Sequence, residues 1–277
     1  MPIQLDETAL VLYALGKHFR KYRDLEFISQ VYQRLVVKTA EFMKSYRDTA
    51  TGLPKPSFDL WEEKAGTFTS TASCVCSALS SAAEFAKVFY DSRRQEALNK
   101  VAVQMKEAIV THLYDGKLKR FIRAVYPDGR RDTLVDSSLS FTFLSEAFDA
   151  GSKEVTETMN TIRDRLWVDP GIGGLARYQD DDYHRVSKDT PGNPWFICTL
   201  WLARWYIKTA VSLADLKKAL DILVWTVRRA LPSGVLAEQL NPYDASPLSV
   251  SPLIWSHAEF VIAVCEYLDK HQQLSLP

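Results

Sequence analysis

The chain has 277 residues, and its 34 basic side chains balance 34 acidic ones to give a formal net charge of zero. Apolar residues make up 47% of it and aromatic residues 12%, a composition typical of a globular protein with one large core or two small ones. This composition excludes an intrinsically disordered chain, and the balanced charge disfavours a nucleic-acid or anionic-membrane surface. We therefore expect no nucleic acid and no membrane as a partner.

The cysteines and the N-terminal sequence bear on the compartment. Four cysteines in a chain of this length do not make a disulfide scaffold, and no Cys-x2-Cys pair with zinc-ligand spacing is present. The N-terminal sequence lacks the basic flank and apolar core of a signal peptide, and no apolar run reaches the ~18 residues that span a bilayer. These features predict a cytoplasmic protein, or a chain that has lost its targeting segment.

The spacing of apolar residues predicts nine helices. Their approximate bounds are residues 5–22, 25–47, 67–89, 92–114, 137–149, 152–165, 194–208, 212–230 and 251–271. Helix 212–230 is amphipathic and opens with Ser212 and Asp215 in a capping-box pattern. Helices 194–208 and 251–271 are apolar nearly all round, so we expect protein on every side of them.

The alternation of buried and amphipathic helices favours a double ring of helical hairpins, with an irregular helical bundle as the alternative. Extended pieces at Lys117–Val125 and a turn at residues 127–129 predict a surface β-hairpin. No linker, low-complexity tract or strict repeat divides the chain. We therefore expect a single all-α domain over residues 1–277.

The first connector with candidate chemistry is residues 51–66. It places Asp59, Trp61, Glu62 and Glu63 just before a predicted buried helix. A tryptophan beside paired acids suits a sugar site, because the ring offers an apolar face and the carboxylates bind hydroxyls or transfer protons. The alternative is a plain helix N-terminus, where acidic side chains favour the helix dipole.

The second connector, residues 231–257, contains Glu238 followed by Gln239. Glu238 lies after two apolar residues and precedes another predicted buried helix. A partly desolvated carboxylate suits acid or base work, whereas a solvated loop acid is the alternative reading.

The third connector contains a glycine-rich stretch that starts at Gly171, then Asp180–Asp182, and ends at Trp195. The glycines lack the Gly-Lys-Ser/Thr of a phosphate loop, and the three consecutive acids lack the alternate spacing of a calcium loop. The five histidines show no zinc-binding pairing, and no nucleophilic serine elbow is present. We therefore expect no metal or cofactor, and any catalysis falls to carboxylates.

Taken together, the connectors resemble the glucoamylase-like glycoside hydrolases of family 15, which include glucodextranases and some trehalases. Six short pieces in chain order carry the resemblance: Gln4-Leu-Asp-Glu7, Asp59-Leu-Trp-Glu-Glu63, Ala176-Arg-Tyr-Gln-Asp-Asp181, Gly192-Asn-Pro-Trp-Phe196, Ala237-Glu-Gln239 and Leu248-Ser-Val-Ser-Pro-Leu-Ile-Trp-Ser-His-Ala-Glu-Phe260.

The resemblance implies an inverting, exo-acting hydrolase that releases β-glucose from the non-reducing ends of α-glucans or α-glucoside oligosaccharides. It implies that Glu62 is the general acid and Glu238 the general base. The positions that match residues lining the sugar subsites are Trp61, Glu63, Arg177, Asp181, Trp195 and Gln239.

The resemblance further implies an (α/α)6-type toroid of helical hairpins, of which the nine predicted helices represent about three quarters. The first matching piece begins at Gln4, about three helices into the family's toroid, so we expect a domain truncated at its N-terminal side. The alternative is a weak or inactive sugar-binding fragment that needs the missing helices or a partner chain, and a homo-oligomer is possible on the same ground. The preferred linkage, α-1,4, α-1,6 or that of trehalose, stays open.

Overall fold

The computed structural model describes residues 3–276, and this part of the chain is mostly helical. Its α-helices are α1 (Leu5–Tyr22), α2 (Leu25–Val31), α3 (Lys38–Ser45), α4 (Thr69–Val88), α5 (Ser92–Leu113), α6 (Phe141–Leu144), α7 (Lys153–Leu166), α8 (Phe196–Thr209), α9 (Leu213–Arg229) and α10 (Ile254–Ser275). A π-helical segment, Tyr32–Val37, joins α2 to α3, so the predicted helix over 25–47 is present with its middle widened. None of the helices among residues 3–276 is long and apolar enough to cross a membrane.

The predicted helix over 137–149 is wrong in length. It consists of a 3-10 turn, Ser137–Ser140, followed by the single turn of α6. The Asp136 carboxylate accepts a 2.7 Å hydrogen bond from the backbone N–H of Ser138 and so caps the start of this turn. At the other end, Glu146 adopts a left-handed backbone conformation with φ 68°, which stops the helix.

The described residues form two compact units. The first runs to Thr133 and includes Phe141–Asp149, and the second consists of Leu134–Ser140 and the chain from Ala150 onward. In the first unit, α4 packs against both α1 and α5. Most of α4 is serine, threonine, alanine and cysteine, and these small side chains are buried because they let the neighbouring helices approach closely.

Short strands organise the loops of the first unit. Four of them, β1 (Ser57–Phe58), β2 (Ala65–Phe68), β5 (Ala124–Val125) and β6 (Arg131–Asp132), form an antiparallel sheet in the order β1-β2-β5-β6. The strands β3 (Tyr114–Asp115) and β4 (Arg120–Phe121) pair separately. The predicted surface hairpin is therefore two hairpins, of which the second has its turn at residues 127–129.

In the second unit, α8 packs against both α9 and α10. The predicted capping box of α9 is present, since the Ser212 hydroxyl accepts a 3.2 Å bond from the Asp215 N–H. Helix α10 differs from the expectation of a buried helix. Its buried residues are Ser256, Glu259 and Ala263, and much of its apolar surface is open to solvent.

A second antiparallel sheet lies in this unit, in the order β10-β9-β8-β7. Its strands are β7 (Leu175–Ala176), β8 (Pro194–Trp195), β9 (Gln239–Leu240) and β10 (Pro247–Leu248). Trp195 is paired with Leu175 on one side and with Gln239 on the other. The sheet therefore brings the second and third connectors side by side, and its strand β8 leads directly into α8.

Candidate active site

The first set of predicted site residues lies on the acid loop, Asp59–Lys64, which is the tip of the β1–β2 hairpin. The backbone of Asp59 pairs with that of Lys64 at 2.9 Å, and the Asp59 carbonyl accepts a 3.0 Å bond from the Glu62 N–H. The buried Asp59 carboxylate also accepts bonds from the backbone N–H groups of Glu63 and Lys64, at 2.8 and 3.0 Å. One aspartate therefore holds both ends of a six-residue loop together.

Within this loop, Glu62 adopts a left-handed backbone conformation with φ 59°. This region is unfavourable for a residue with a Cβ, and such strain concentrates at functional sites. The Glu62 side chain is exposed, as is that of Glu63, while Trp61 is 9% exposed. The acid loop thus presents two carboxylates beside a largely buried indole.

Burial dominates the electrostatics at the base of the acid loop. It raises the pKa of Asp59 above its usual range, and the two amide bonds from Lys64 and Glu63 partly oppose this effect. Nearby, Arg123 and Asp132 form a buried ion pair in which the guanidinium Nε lies 2.9 Å from the carboxylate. The Arg123 charge favours the ionised form of Asp59. The backbone carbonyl of Arg123 accepts a 3.0 Å bond from the N–H of the first residue of α4.

The second set lies in the other unit and begins with Arg177 and Asp181. Both side chains are buried, and the guanidinium donates two parallel hydrogen bonds to the carboxylate, at 2.9 and 2.8 Å. The guanidinium carbon lies 4.7 to 5.1 Å from the ring centroids of Tyr178, Tyr183 and Trp195. Ion pairing and ring packing therefore fix the orientation of Arg177.

Glu238 and Gln239 complete this set. Glu238 is half-buried and precedes β9, and its carboxylate accepts a 3.3 Å bond from the Gln239 side chain. The amide oxygen of Gln239 accepts a 2.9 Å bond from Asn193, whose own amide oxygen accepts from the Val186 N–H. This chain of amides fixes which way Gln239 points, so that its NH2 group faces the Glu238 carboxylate.

The structure places Trp61, Glu62 and Glu63 on one loop of the first unit, and it places Arg177, Asp181, Trp195, Glu238 and Gln239 around one small sheet of the second. Sequence reasoning missed the supporting roles of Asp59 and Asn193. The role of Asp59 could have been predicted, because an aspartate at the start of a short hairpin loop often accepts hydrogen bonds from the backbone of that loop. The second depends on a pairing 46 residues away, which no local pattern reveals.

Each set supplies carboxylates beside an aromatic face, and the second also supplies amide and guanidinium donors. This combination suits a hydroxyl-rich ligand and acid-base hydrolysis. Within residues 3–276, no cluster of three or more histidine, cysteine, aspartate or glutamate side chains is placed to hold a metal ion.

Relatives of known class match nearly the whole chain. The chain is 27% identical over 274 residues to an uncharacterized glycosyl hydrolase of Methanocaldococcus jannaschii, covering 95% of this chain, and 22% identical to Trehalase 2 of Sulfolobus acidocaldarius, covering 96%. In both cases the chain spans 42% of the length of the relative.

Among solved structures, a bacterial glucoamylase complexed with acarbose matches with a TM-score of 0.81 and 21% identity, over 98% of this chain and 41% of that one. This likeness confirms the predicted all-α, glucoamylase-type fold for the part that the chain covers. The sequence model of the glycosyl hydrolases family 15 matches residues 2–265. The chain belongs to glycosyl hydrolase family 15.

Proposed function

We propose that the chain is the catalytic part of an inverting, exo-acting α-glucoside hydrolase that releases β-glucose from non-reducing ends. The observation that carries the proposal is the acid loop, in which a buried aspartate holds Glu62 exposed in a strained conformation beside Trp61. In a family of glycoside hydrolases, a carboxylate presented in this way suits the general acid. Residues 1–277 act as a single catalytic domain in this proposal.

The mechanism uses two carboxylates in different protonation states. Protonated Glu62 donates its proton to the glycosidic oxygen as the C–O bond breaks. Ionised Glu238 removes a proton from a water molecule that attacks the anomeric carbon from the opposite face, which inverts its configuration. This arrangement requires the two carboxyl groups to lie about 6.5 to 9.5 Å apart, so that the water fits between them.

The remaining residues bind sugar in this proposal. The fixed Arg177 guanidinium and the Gln239 amide donate to hydroxyl groups, and Asp181 and Glu63 accept from them. Trp61 and Trp195 supply apolar faces for the pyranose ring. The bond between Gln239 and Glu238 supports this assignment, because it orients the carboxylate of the proposed base.

The proposed substrates are α-glucans or α-glucoside oligosaccharides. Because one solved relative is a glucoamylase and one curated relative a trehalase, the assay panel should contain maltooligosaccharides, isomaltose and trehalose. A cytoplasmic location also belongs to the proposal. It is supported by the four cysteines, which are all free thiols, as expected in a reducing compartment.

Two substitutions test the catalytic assignment. Glu62→Gln and Glu238→Gln should each lower kcat by about 10²- to 10⁴-fold, the usual contribution of a positioned acid or base, while sugar affinity changes little. Glu96→Gln, an exposed position on α5, is the matched control and should keep parental kcat. Near-parental kcat in either of the first two variants on every substrate that the parent cleaves would remove that residue from the mechanism.

The second candidate function is a sugar-binding fragment with little turnover that needs further helices or a partner chain. The observation that favours it is the open apolar surface of α10 in a chain spanning 42% of its curated relatives. Calorimetric titration with a maltooligosaccharide separates the two functions. Binding to the parent without glucose release supports the second, and glucose release by the purified chain supports the first.

A further inference from the structure

Asp6, in the first turn of α1, carries a carboxyl group with no role in the site described above. The residue is 1% exposed, and neither carboxyl oxygen has a hydrogen-bond partner. A buried, unpartnered carboxylate is strongly unfavourable when it is ionised, and it usually takes up a proton instead. The surroundings of Asp6 therefore disfavour the ionised form of its carboxyl group.

The start of α1 is tied directly to the acid loop. The carbonyl of Ile3 accepts a 2.8 Å bond from the Phe58 N–H, and the Gln4 side chain donates to the carbonyl of Asp59 at 3.5 Å. The residues just before Asp6 are thus bonded to the strand that enters the loop and to the first residue of the loop. A change at Asp6 is transmitted to Asp59 through these short connections.

The groups that act on Asp6 are themselves acids. Burial is the largest cause that raises the pKa of Asp6 to about 7, and the charges of Glu7 on the same helix and Asp59 in the loop act in the same direction. The thiol of Cys74, on α4, interacts with the Asp6 charge but stays neutral, because burial, and to a smaller extent that charge, raise its pKa.

Asp6 and Asp59 differ in how well the structure stabilises their ionised forms. The Asp59 carboxylate accepts two backbone hydrogen bonds, which stabilise its ionised form, whereas Asp6 has none. When only one of two neighbouring acids can ionise easily, the better-bonded one takes the charge. The ionised form is therefore better stabilised at Asp59 than at Asp6.

We propose that Asp6 is a positioning residue for Glu62: its neutral carboxyl group lets the acid loop close on Asp59, and loss of its proton loosens the loop. This inference rests on the proposed role of Glu62 as general acid. Ionisation breaks the O–H bond of Asp6, releases the proton to water, and leaves a second negative charge near Asp59. Their repulsion disturbs the Asp59 carboxylate, whose bonds from the Glu63 and Lys64 N–H groups close the loop that carries Glu62.

The test follows the acid loop by fluorine NMR of the chain labelled with 5-fluorotryptophan. The Trp61 resonance is assigned by its loss in Trp61→Phe. In the parent, this resonance should shift with a midpoint near pH 7, the pKa of Asp6. In Asp6→Asn the shift should vanish, because the amide is neutral at every pH. The matched control, Glu7→Gln, alters the neighbouring acid and should keep the shift with a slightly lower midpoint.

An unchanged midpoint in Asp6→Asn, or a Trp61 resonance in the parent that does not move between pH 5 and 8.5, would overturn the proposal. If Asp6→Asn does not fold, Asp6→Ser is the second neutral variant, with the same expected loss of the shift. These measurements need no turnover, so an inactive chain would count against the proposed function without removing the test of Asp6.

A kinetic readout separates positioning from simple stabilisation. At pH 8, one unit above the midpoint, about nine in ten parent molecules would carry the Asp6 charge. At pH 8, kcat expressed as a fraction of each protein's own maximal kcat should then be about tenfold higher in Asp6→Asn than in the parent, with KM little changed. The same alkaline fall of kcat in parent and variant would contradict the proposal.

Discussion

At the scale of single residues, the acid loop gives two carboxylates that are three positions apart in sequence very different surroundings. Asp59 is buried and its carboxylate accepts hydrogen bonds from backbone amides, whereas Glu62 is exposed and held in a strained conformation. The energy of the strained residue is offset by the hydrogen bonds of the buried one. Of these two carboxylates, Glu62 is therefore the one that is free to meet a substrate.

The buried pair of Arg177 and Asp181 gives a prediction about stability. Removing one partner of such a pair leaves an uncompensated charge in the interior, which lowers the free energy of unfolding by about 3–5 kcal/mol. We expect a loss of this size in Arg177→Met, measured by urea denaturation. The exposed pair of Lys217 and Asp221 is the control, and Lys217→Met should change stability by less than about 1 kcal/mol. Equal effects in the two variants would contradict this account of Arg177.

At the scale of elements, the close approach of α1 and α4 gives a second prediction. A Cβ atom added at Gly16 would lie 2.6 Å from Oγ and 2.9 Å from Cβ of Ser81. Gly16→Ala should therefore lower the free energy of unfolding by about 1–3 kcal/mol through overpacking, despite the better helix propensity of alanine. Gly116→Ala, where a Cβ meets nothing within 4 Å, should be nearly neutral. Thermal or urea unfolding checks both, and a more stable Gly16→Ala protein would refute the packing argument.

The elements also show what the sequence could and could not predict. Long helices such as α5 and α9 follow from apolar spacing and capping residues, because those signals are local. The two-residue strands do not, since β8 exists only through its pairing with β7 and β9. The same limit applies to the candidate site, for which the motifs predict Glu62 and Glu238, whereas the bonds that orient Gln239 through Asn193 come from tertiary structure.

At the scale of the whole molecule, the exposed face of α10 predicts association. Ile254, Val261 and Leu268 are 81%, 59% and 59% exposed, an unusual concentration of apolar surface on one helix. We expect the isolated chain to form oligomers or to be poorly soluble, and Val261→Glu with Leu268→Glu to reduce association. Analytical ultracentrifugation measures this directly. A monodisperse parent monomer that melts cooperatively would contradict the prediction.

The function proposed for this member of glycosyl hydrolase family 15 is cleavage of α-glucosides with inversion by Glu62 and Glu238. The most direct test is a proton NMR time course of a maltooligosaccharide with the purified chain, read before the two anomers of glucose equilibrate. The account predicts that β-glucose appears first in the parent and is lost in Glu62→Gln. Fresh α-glucose as the first product would contradict inversion. β-Glucose formed at an undiminished rate by Glu62→Gln would contradict the assignment of Glu62 as the general acid.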